Sequence, residues 1–193
     1  MDFRQRLFQY RSYTPIPFLV IMMIFARPTA LSMSIGFLFV AFGEFLRLWG
    51  VAIAGSETRT TGPVGGTYLI TKGPFAYVRN PLYLGNMLLY FGAGIMANAL
   101  FPWLPLIALI YFLFQYSLIV SLEEEYLLKT FQEEFEKYCA ATARFFPNFK
   151  PFQSGSLEQP SLDWKKGLVS EKRTLQAIGI LTILLTAFWR LQG

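Results

Sequence analysis

The sequence contains no histidine and a single cysteine, Cys139, in 193 residues. The missing histidine excludes a histidine-ligated haem, a histidine-containing catalytic triad and a histidine-box iron centre, because each needs an imidazole. One cysteine excludes an intrachain disulfide and a cysteine-based zinc cluster. Charged residues are also scarce, at 15%. We therefore expect no metal site and no chemistry that depends on imidazole.

Apolar residues are abundant instead, with 54% hydrophobic and 18% aromatic residues, more than an ordinary soluble domain carries. A helix needs about 20 apolar residues to cross a bilayer. Four stretches come near that length, and a shorter one precedes them. They lie at about 12–26, 30–53, 81–100, 103–122 and 174–190. This pattern predicts an all-α, polytopic transmembrane helical bundle of about five spans, forming a single integral-membrane domain over residues 1–193.

The distribution of basic residues predicts the orientation. If the N-terminus is cytoplasmic, 14 of the 17 lysines and arginines fall on the cytoplasmic side, Arg27 and Arg190 fall outside, and Arg47 lies within a span. Such a bias obeys the positive-inside rule. The net charge of +5 is spread over the segments between helices and forms no stripe or arm, so we expect no nucleic-acid partner.

The segments between the spans are polar. A Gly/Thr/Pro-rich connector at 54–72 cannot cross lipid, because its backbone would lack hydrogen-bond partners there. A turn at 101–105 predicts that the third and fourth spans pack as an antiparallel hairpin. After Glu123, apolar residues recur at helical spacing among charges, which predicts a cytoplasmic amphipathic helix ending before Pro147. Residues 148–171 are expected to be a linker.

Polar residues cluster at the start of the third span, in Arg79-Asn80-Pro81 and Tyr83. Asparagine and proline are ordinary helix-starting residues, and an arginine on the cytoplasmic edge follows the charge rule. A structural cap and a binding site are both open interpretations of this motif.

Three adjacent carboxylates, Glu123, Glu124 and Glu125, stand at the inner end of the fourth span. They repel one another, and a cationic partner would remove the conflict; the alternative is a helix start that favours acidic side chains. Within the second span, Glu44 and Arg47 share one helix face. We expect a mutual salt bridge there, and a role in the site stays open.

The predicted topology brings these features to one side of the membrane. Asn80, Tyr83, the acidic triplet and the segment 66–78 all lie at cytoplasmic ends of adjacent antiparallel spans. Segment 66–78 is either a loop that lies on the lipid headgroups with its aromatic residues as anchors, or a Gly-rich segment that wraps around an adenine ring. We therefore expect one shared pocket.

Two stretches carry a family resemblance, TYLITKGPFAYVRNPLYLG and, after a two-helix hairpin, EEEYLLKTFQEEFEKYCAATARFFP. Over about residues 30–150 the chain resembles the integral-membrane methyltransferases that include isoprenylcysteine carboxyl methyltransferase and phosphatidylethanolamine N-methyltransferase. The resemblance implies S-adenosyl-L-methionine as the cofactor and a lipid or lipidated small molecule as the substrate, reached from within the membrane.

The resemblance also implies roles for individual residues. The expected cofactor-binding set combines the loop, the start of the third span and the acidic triplet: Tyr68, Leu69, Ile70, Phe75, Asn80, Pro81, Tyr83, Glu123 and Glu124. On the substrate side we place Arg79, Glu125 and Arg144, the last because an arginine there suits a lipid phosphate. A sulfonium methyl donor is already activated, so the chemistry needs little from side chains. Either Glu124 or Glu125 could accept the proton of an amine acceptor or only attract its headgroup, and no catalytic base is assigned.

Two departures from the prenylcysteine enzymes bear on the substrate. Their Arg-His-Pro is Arg79-Asn80-Pro81 here, and the arginine that they tend to carry before the glutamates has no counterpart in 119–122. We therefore expect an amine-bearing phospholipid as acceptor. The alternatives are a prenylated or other amphipathic carboxylate or thiol, a sterol-type membrane reductase, and a non-enzymatic transport or structural protein. The oligomeric state is left open.

Overall fold

The computed structural model describes residues 2–55, 68–153, 155 and 157–192. Six α-helices lie in this part of the chain. They are α1 (Phe3–Tyr10), α2 (Ile16–Ile24), α3 (Ala30–Ala54), α4 (Pro81–Ala97), α5 (Trp103–Ala141) and α6 (Trp164–Gln192), with a short 3₁₀ turn at Gly73–Ala76. No strand occurs among these described residues. The predicted all-α class is confirmed.

Local chemistry explains where several helices begin. Thr29 and Ser32 cap α3 reciprocally, since each side chain accepts a hydrogen bond from the other's backbone nitrogen. Pro81 occupies the first position of α4, where its missing N–H costs nothing. Before α6, Asp163 accepts a hydrogen bond from the Lys166 backbone at 3.0 Å, and this bond lowers the pKa of Asp163.

Helices α2 to α6 run alternately between two ends of the bundle. At one end, the Arg27 backbone donates to Ala97 at 2.8 Å, which joins the exit of α2 to the end of α4. At the opposite end, the Asp163 backbone donates to Ala52 at 2.8 Å, which joins the entry of α6 to the end of α3. Each helix from α3 to α6 therefore begins at the end of the bundle where the preceding helix stops.

Three helices, α3, α5 and α6, are long and apolar enough to cross a membrane. The predicted helical membrane bundle is thus confirmed. Helices α2 and α4 are apolar but shorter, so helix length supports three of the five predicted spans among the described residues. The predicted first span, 12–26, contains the short apolar helix α2, which follows a turn at Pro15, and α1 lies before this stretch. Most of the predicted connector, residues 56–67, lies outside the described residues.

Glycines set the spacing of α3 and α4, the pair with the most extensive contact. A Cβ on Gly36 would lie 2.5 Å from the Gly92 oxygen, and one on Gly43 would lie 2.7 Å from the Gly85 oxygen. No side chain fits at such distances, so the two backbones touch directly. Close backbone approach through small residues is the usual way in which helices associate in lipid.

Candidate functional site

A cavity of about 310 Å³ opens where α3 ends and α4 begins. Helices α1, α3, α4, α5 and α6 and the segment before α4 all contribute side chains. Among the predicted residues, the following line it: Tyr68, Leu69, Ile70, Phe75, Arg79, Asn80, Pro81, Tyr83, Glu123 and Glu124. The structure therefore brings together residues that stand as far apart as 68 and 124 in the sequence.

Tyr83 and Glu123 join the start of α4 to the acidic triplet on α5. The Tyr83 hydroxyl donates to Glu123 Oε1 at 2.7 Å. Asn80, one turn earlier, donates its side-chain amide to the Arg144 carbonyl oxygen at 3.2 Å. The two helix ends that the sequence assigned to one pocket are in direct hydrogen-bond contact.

Glu124 is held by two arginines. Arg79 Nε lies 3.1 Å from Glu124 Oε1, and Arg144 Nη2 pairs with the other carboxylate oxygen. Arg79 also donates to the backbone carbonyls of Thr142 and Cys139. The acidic charge of Glu124 is therefore neutralised within the protein, and Arg79 ties the start of α4 to the end of α5.

Glu123 differs from Glu124 in its electrostatic surroundings. Among the described residues, no lysine or arginine lies within 4.0 Å of the Glu123 carboxylate, and its hydrogen-bond partner is the neutral Tyr83 hydroxyl. A carboxylate in a partly buried site is stabilised by a nearby cation. Arg11 of the same cavity wall acts on Glu123 electrostatically from beyond ion-pair distance, so the Glu123 carboxylate is less directly neutralised than that of Glu124 and suits a cationic group on a ligand.

Another part of the cavity wall is aromatic and aliphatic. Leu69 is buried against Phe135 and Tyr138 of α5. The Tyr138 hydroxyl donates to the Phe75 carbonyl oxygen at 2.6 Å, which fixes the segment before α4 against α5. A flat apolar ligand group could pack on this wall while its polar parts face Glu123.

The predicted linker is instead a packed strap, which we define as residues 148–163 apart from 154 and 156. Its Gln159 side chain bonds the segment before α4 twice, accepting from the Thr71 backbone at 2.8 Å and donating to the Leu69 carbonyl at 2.8 Å. The Phe152 backbone donates to Ala76 at 2.8 Å. The strap therefore fixes the cavity wall formed by residues 68–76.

We expect Gln159→Ala to loosen this wall. Losing both hydrogen bonds costs about 1–2 kcal/mol, so local opening around Thr71 should become roughly tenfold more frequent. The exposed Lys72 adjoins Thr71. Tryptic cleavage after Lys72, followed by mass spectrometry under native conditions, should accelerate by about that factor.

The matched control is Gln153→Ala, an exposed glutamine of the same strap. It should leave the cleavage rate after Lys72 unchanged. Equal rates in the wild-type chain and the Gln159→Ala variant would show that the clamp does not hold the wall.

Two residues predicted for the substrate side do not line the cavity. Glu125 points to α1, where it pairs with Arg4. Arg144 pairs with Glu124, and its side chain is 39% exposed. Both contacts are structural links around the cavity, and the substrate role of these two residues stays a prediction.

Sequence reasoning missed several residues of the cavity wall, including Arg11, Asn86 and, on α6, Glu171. The Glu171 carboxylate lies 2.6 Å from Arg47 Nη2, closer than the predicted partner Glu44, which is 3.7 Å from Arg47 Nε. Both Arg47 and Glu171 line the cavity. Arg47 and Glu171 are 124 positions apart, so no local sequence pattern relates them. Glu171 also lies in the stretch that was expected to be a linker.

The fold and the cavity together define an α-helical membrane protein with a charged site at one end of its bundle. Residues 31–134 match the phospholipid methyltransferase family, and the chain belongs to that family. The matched region contains α4, the acidic triplet and most of α3, whereas α1, the strap and α6 lie outside it.

Two curated relatives are named as resistance proteins. The chain is 29% identical over 127 residues to the cobalt-zinc-cadmium resistance protein CzcN of Cupriavidus metallidurans, covering 65% of this chain and 54% of that protein. It is 30% identical over 129 residues to the nickel-cobalt-cadmium resistance protein NccN of Alcaligenes xylosoxydans xylosoxydans, covering 66% and 55%. The chain spans about half the length of these curated relatives. No solved structure matches the chain.

Proposed function

We propose that this protein is an integral-membrane enzyme that transfers a methyl group from S-adenosyl-L-methionine to an amine-bearing phospholipid. Membership of the phospholipid methyltransferase family supports the reaction class. The observation that carries the assignment to this cavity is Glu123, whose carboxylate faces the cavity with a neutral hydroxyl as partner. A cationic cofactor would bring a positive charge to this carboxylate.

The residues present fit the cofactor group by group. Tyr68, Leu69, Ile70 and Phe75 offer an apolar wall for the nucleoside, and Glu123 faces its cationic part. Asn80 and Tyr83, at the start of α4, would hold the amino-acid portion. When bound, S-adenosyl-L-methionine supplies an activated methyl group, so the protein has mainly to align the acceptor and exclude water.

The protein's own groups would then orient the two reactants. An amine acceptor attacks as the neutral base, and no proton acceptor is assigned, because Glu124 is already held by Arg79 and Arg144. The ends of α3, α4 and α5 enclose the cavity, and by the positive-inside rule we place this end of the bundle at the cytoplasmic face. A lipid acceptor would enter from the bilayer, and the soluble cofactor from the cytoplasm.

Calorimetric titration with S-adenosylhomocysteine tests the cofactor assignment. We expect saturable binding to the detergent-purified protein and no binding of reduced nicotinamide cofactors. Binding of the nicotinamide cofactor alone, in folded protein, would favour the membrane reductase instead. If neither ligand binds to the folded protein, the result would favour the transport or structural role.

A second candidate is a role in metal resistance, favoured by the names of the two curated relatives. Within the described residues, no group of three or more His, Cys, Asp or Glu side chains could hold a metal ion. Growth of expressing cells in cobalt, zinc, cadmium or nickel tests this role. Protection by the wild-type chain and its loss in Glu123→Gln would connect resistance to the cavity.

A further inference from the structure

We propose that residues 145–151, which we call the aromatic wedge, insert into the lipid headgroup region of the bilayer beside the cavity. The inference goes beyond the proposed function and does not depend on the reaction. Phe149 is 103% exposed and Phe146 is 80% exposed, and neither is among the described residues that line the cavity. Both follow the end of α5, so a place on the lipid-facing side of a spanning helix does not explain their exposure. Large exposed apolar groups of this kind mark a contact with a membrane or with another protein.

Contacts with two apolar helices fix the level of the wedge in the bundle. The Arg79 backbone, two residues before α4 begins at Pro81, donates to the Ala143 carbonyl oxygen at 2.9 Å. On α5, Glu124 pairs with Arg144 at the place where the apolar run of that helix gives way to the acidic triplet. The wedge therefore lies where α4 begins and where the apolar part of α5 ends. In a membrane bundle, this level is the boundary between hydrocarbon and headgroups.

A break in α5 brings the chain back to this level. Gln132 has φ 44° and ψ −116° inside the helix, so the parts of α5 before and after it point in different directions. After the break, the carbonyl oxygens of Cys139 and Thr142 accept hydrogen bonds from Arg79, which ties the end of α5 to the start of α4. A straight helix from 123 to 141 would instead end about 27 Å away from the acidic triplet. The wedge thus lies at the membrane surface, although it follows a helix that leaves the membrane.

Two residues of the wedge hold it in a fixed shape. Phe145 is 9% exposed and packs in an apolar cluster with residues of α1, α4 and α5. The Asn148 backbone donates to the Tyr77 carbonyl oxygen at 2.8 Å, and the Asn148 side chain donates to the Ala141 carbonyl oxygen. Phe145 and Asn148 therefore face the protein, and the phenylalanine that follows each of them is exposed. Because the loop is already ordered, it loses little conformational entropy when it inserts.

The composition of the wedge fits lipid as its partner. Aromatic side chains are enriched at membrane–water interfaces, and basic side chains bind the headgroups of anionic lipids. Lys150, directly after Phe149, is exposed. Pro147 and Pro151 are exposed as well, and neither has a backbone N–H that would lack a partner in lipid. The two phenylalanines therefore lie at the level of the lipid glycerol groups, with Lys150 at a lipid phosphate.

Insertion of the wedge anchors one wall of the cavity to the bilayer. The wedge is bonded to Tyr77 through Asn148, and Phe152, the next residue after the wedge, donates its backbone N–H to the Ala76 carbonyl oxygen at 2.8 Å. Both acceptors adjoin Phe75, which lines the cavity. The mouth of the cavity is thereby kept at the membrane surface, where a ligand held in the bilayer can meet one that arrives from water.

Fluorescence quenching at single cysteines tests the insertion in the full-length protein. Cys139 is the only cysteine in the sequence, so Cys139→Ser gives a background in which one introduced thiol is labelled. An NBD fluorophore is attached at Phe149→Cys or Phe146→Cys, and the protein is reconstituted into vesicles of phosphatidylcholine and phosphatidylglycerol. The reference for water is Lys137→Cys, whose side chain is 68% exposed. The reference for lipid is Ile180→Cys on α6, which is 60% exposed.

We expect lipids with a doxyl group near the headgroup end of the acyl chain to quench both wedge labels. Iodide in the water should quench them roughly tenfold less than it quenches the label at Lys137, because burial of the remaining phenylalanine favours the immersed loop by about that factor or more. Iodide quenching equal to that at Lys137 would place the wedge in water. Protection from both quenchers would show a contact with protein, including a second copy of this chain. Either of these two results overturns the insertion.

A second substitution tests whether the phenylalanines themselves hold the loop in lipid. With the label at position 149, Phe146→Asn should raise iodide quenching several-fold, because the loop then carries no exposed phenylalanine. The matched control is Phe3→Asn on α1, which removes a phenylalanine that is 62% exposed and should leave the quenching unchanged. Iodide quenching that does not rise in Phe146→Asn, in protein that elutes from gel filtration as the wild-type chain does, would refute the role of Phe146 as an anchor.

Discussion

Glu123→Gln should weaken S-adenosylhomocysteine binding and S-adenosyl-L-methionine binding unequally, with the loss concentrated on the cationic methyl donor. The substitution keeps the shape of the side chain, and the amide oxygen can still accept the Tyr83 hydrogen bond. What disappears is the carboxylate charge that the proposed function places beside the ligand's sulfonium. Truncating one partner of a buried charge pair costs about 2–5 kcal/mol, so we expect a loss of roughly a hundredfold or more in affinity for the donor.

Calorimetry with both ligands checks this prediction, because S-adenosylhomocysteine carries the same nucleoside and amino-acid portion without the sulfonium charge. The control is Glu133→Gln, which removes an exposed carboxylate paired with Lys137 at 2.7 Å and should bind both ligands as the wild-type chain does. An equal and small effect of Glu123→Gln on the two ligands would mean that Glu123 does not face the sulfonium.

Gly92→Leu should lower the thermal unfolding midpoint substantially, because the backbones of α3 and α4 touch at this glycine. A Cβ on Gly92 would lie 2.7 Å from the Gly36 oxygen and 2.8 Å from the Val40 nitrogen, both of them backbone atoms. The two helices would have to separate, at a cost of about 3 kcal/mol or more. For a chain of this size that corresponds to a decrease of roughly 10 °C.

The matched substitution is Gly179→Leu on α6, where no atom lies within 4 Å of an added Cβ. Both changes raise helix propensity equally, so their difference isolates the close contact between α3 and α4. The midpoints are measured by differential scanning fluorimetry in detergent, and similar values for the two variants would argue against this packing.

The sequence alone predicted those helices that are defined by a long apolar stretch and a local start signal. The start of α3 at Ala30 and the start of α4 at Pro81 follow from a cap and from a proline that fixes the first turn. The apolar spacing after Glu123 likewise predicted a helix, which the structure shows as a continuation of α5 to Ala141 with a break at Gln132. Periodicity and turn chemistry are local signals, and these features depend on little else.

The strap and α6 depend on contacts that a local pattern does not contain. Residues 148–163 are polar and rich in Pro, Ser and Gly, which is typical of a linker, yet Gln159 pairs with backbone groups of Leu69 and Thr71. The charged start of α6, from Trp164, gave no signal of burial, although Gly167 and Glu171 are both buried. Their burial follows from the docking of α6 on α3.

The acidic triplet shows the same limit at the level of single residues. Sequence alone treats Glu123, Glu124 and Glu125 as equivalent carboxylates. The structure distinguishes them: Tyr83 holds the first, two arginines hold the second, and Arg4 pairs with the third outside the cavity. Partners from α1, α4 and the end of α5 make this distinction, and their approach is a property of the tertiary fold.

The most direct test of the proposed function is methyl transfer by the purified protein itself. The full-length chain is incubated with S-adenosyl-L-methionine carrying a labelled methyl group and with vesicles of phosphatidylethanolamine, and label is measured in the extracted lipid. We expect methylated headgroups that increase with time in the wild-type chain and in Glu133→Gln, and that fall to background in Glu123→Gln. Label that enters no lipid, from folded protein that binds S-adenosylhomocysteine, would contradict the assigned acceptor, and label that persists in Glu123→Gln would contradict the assigned site.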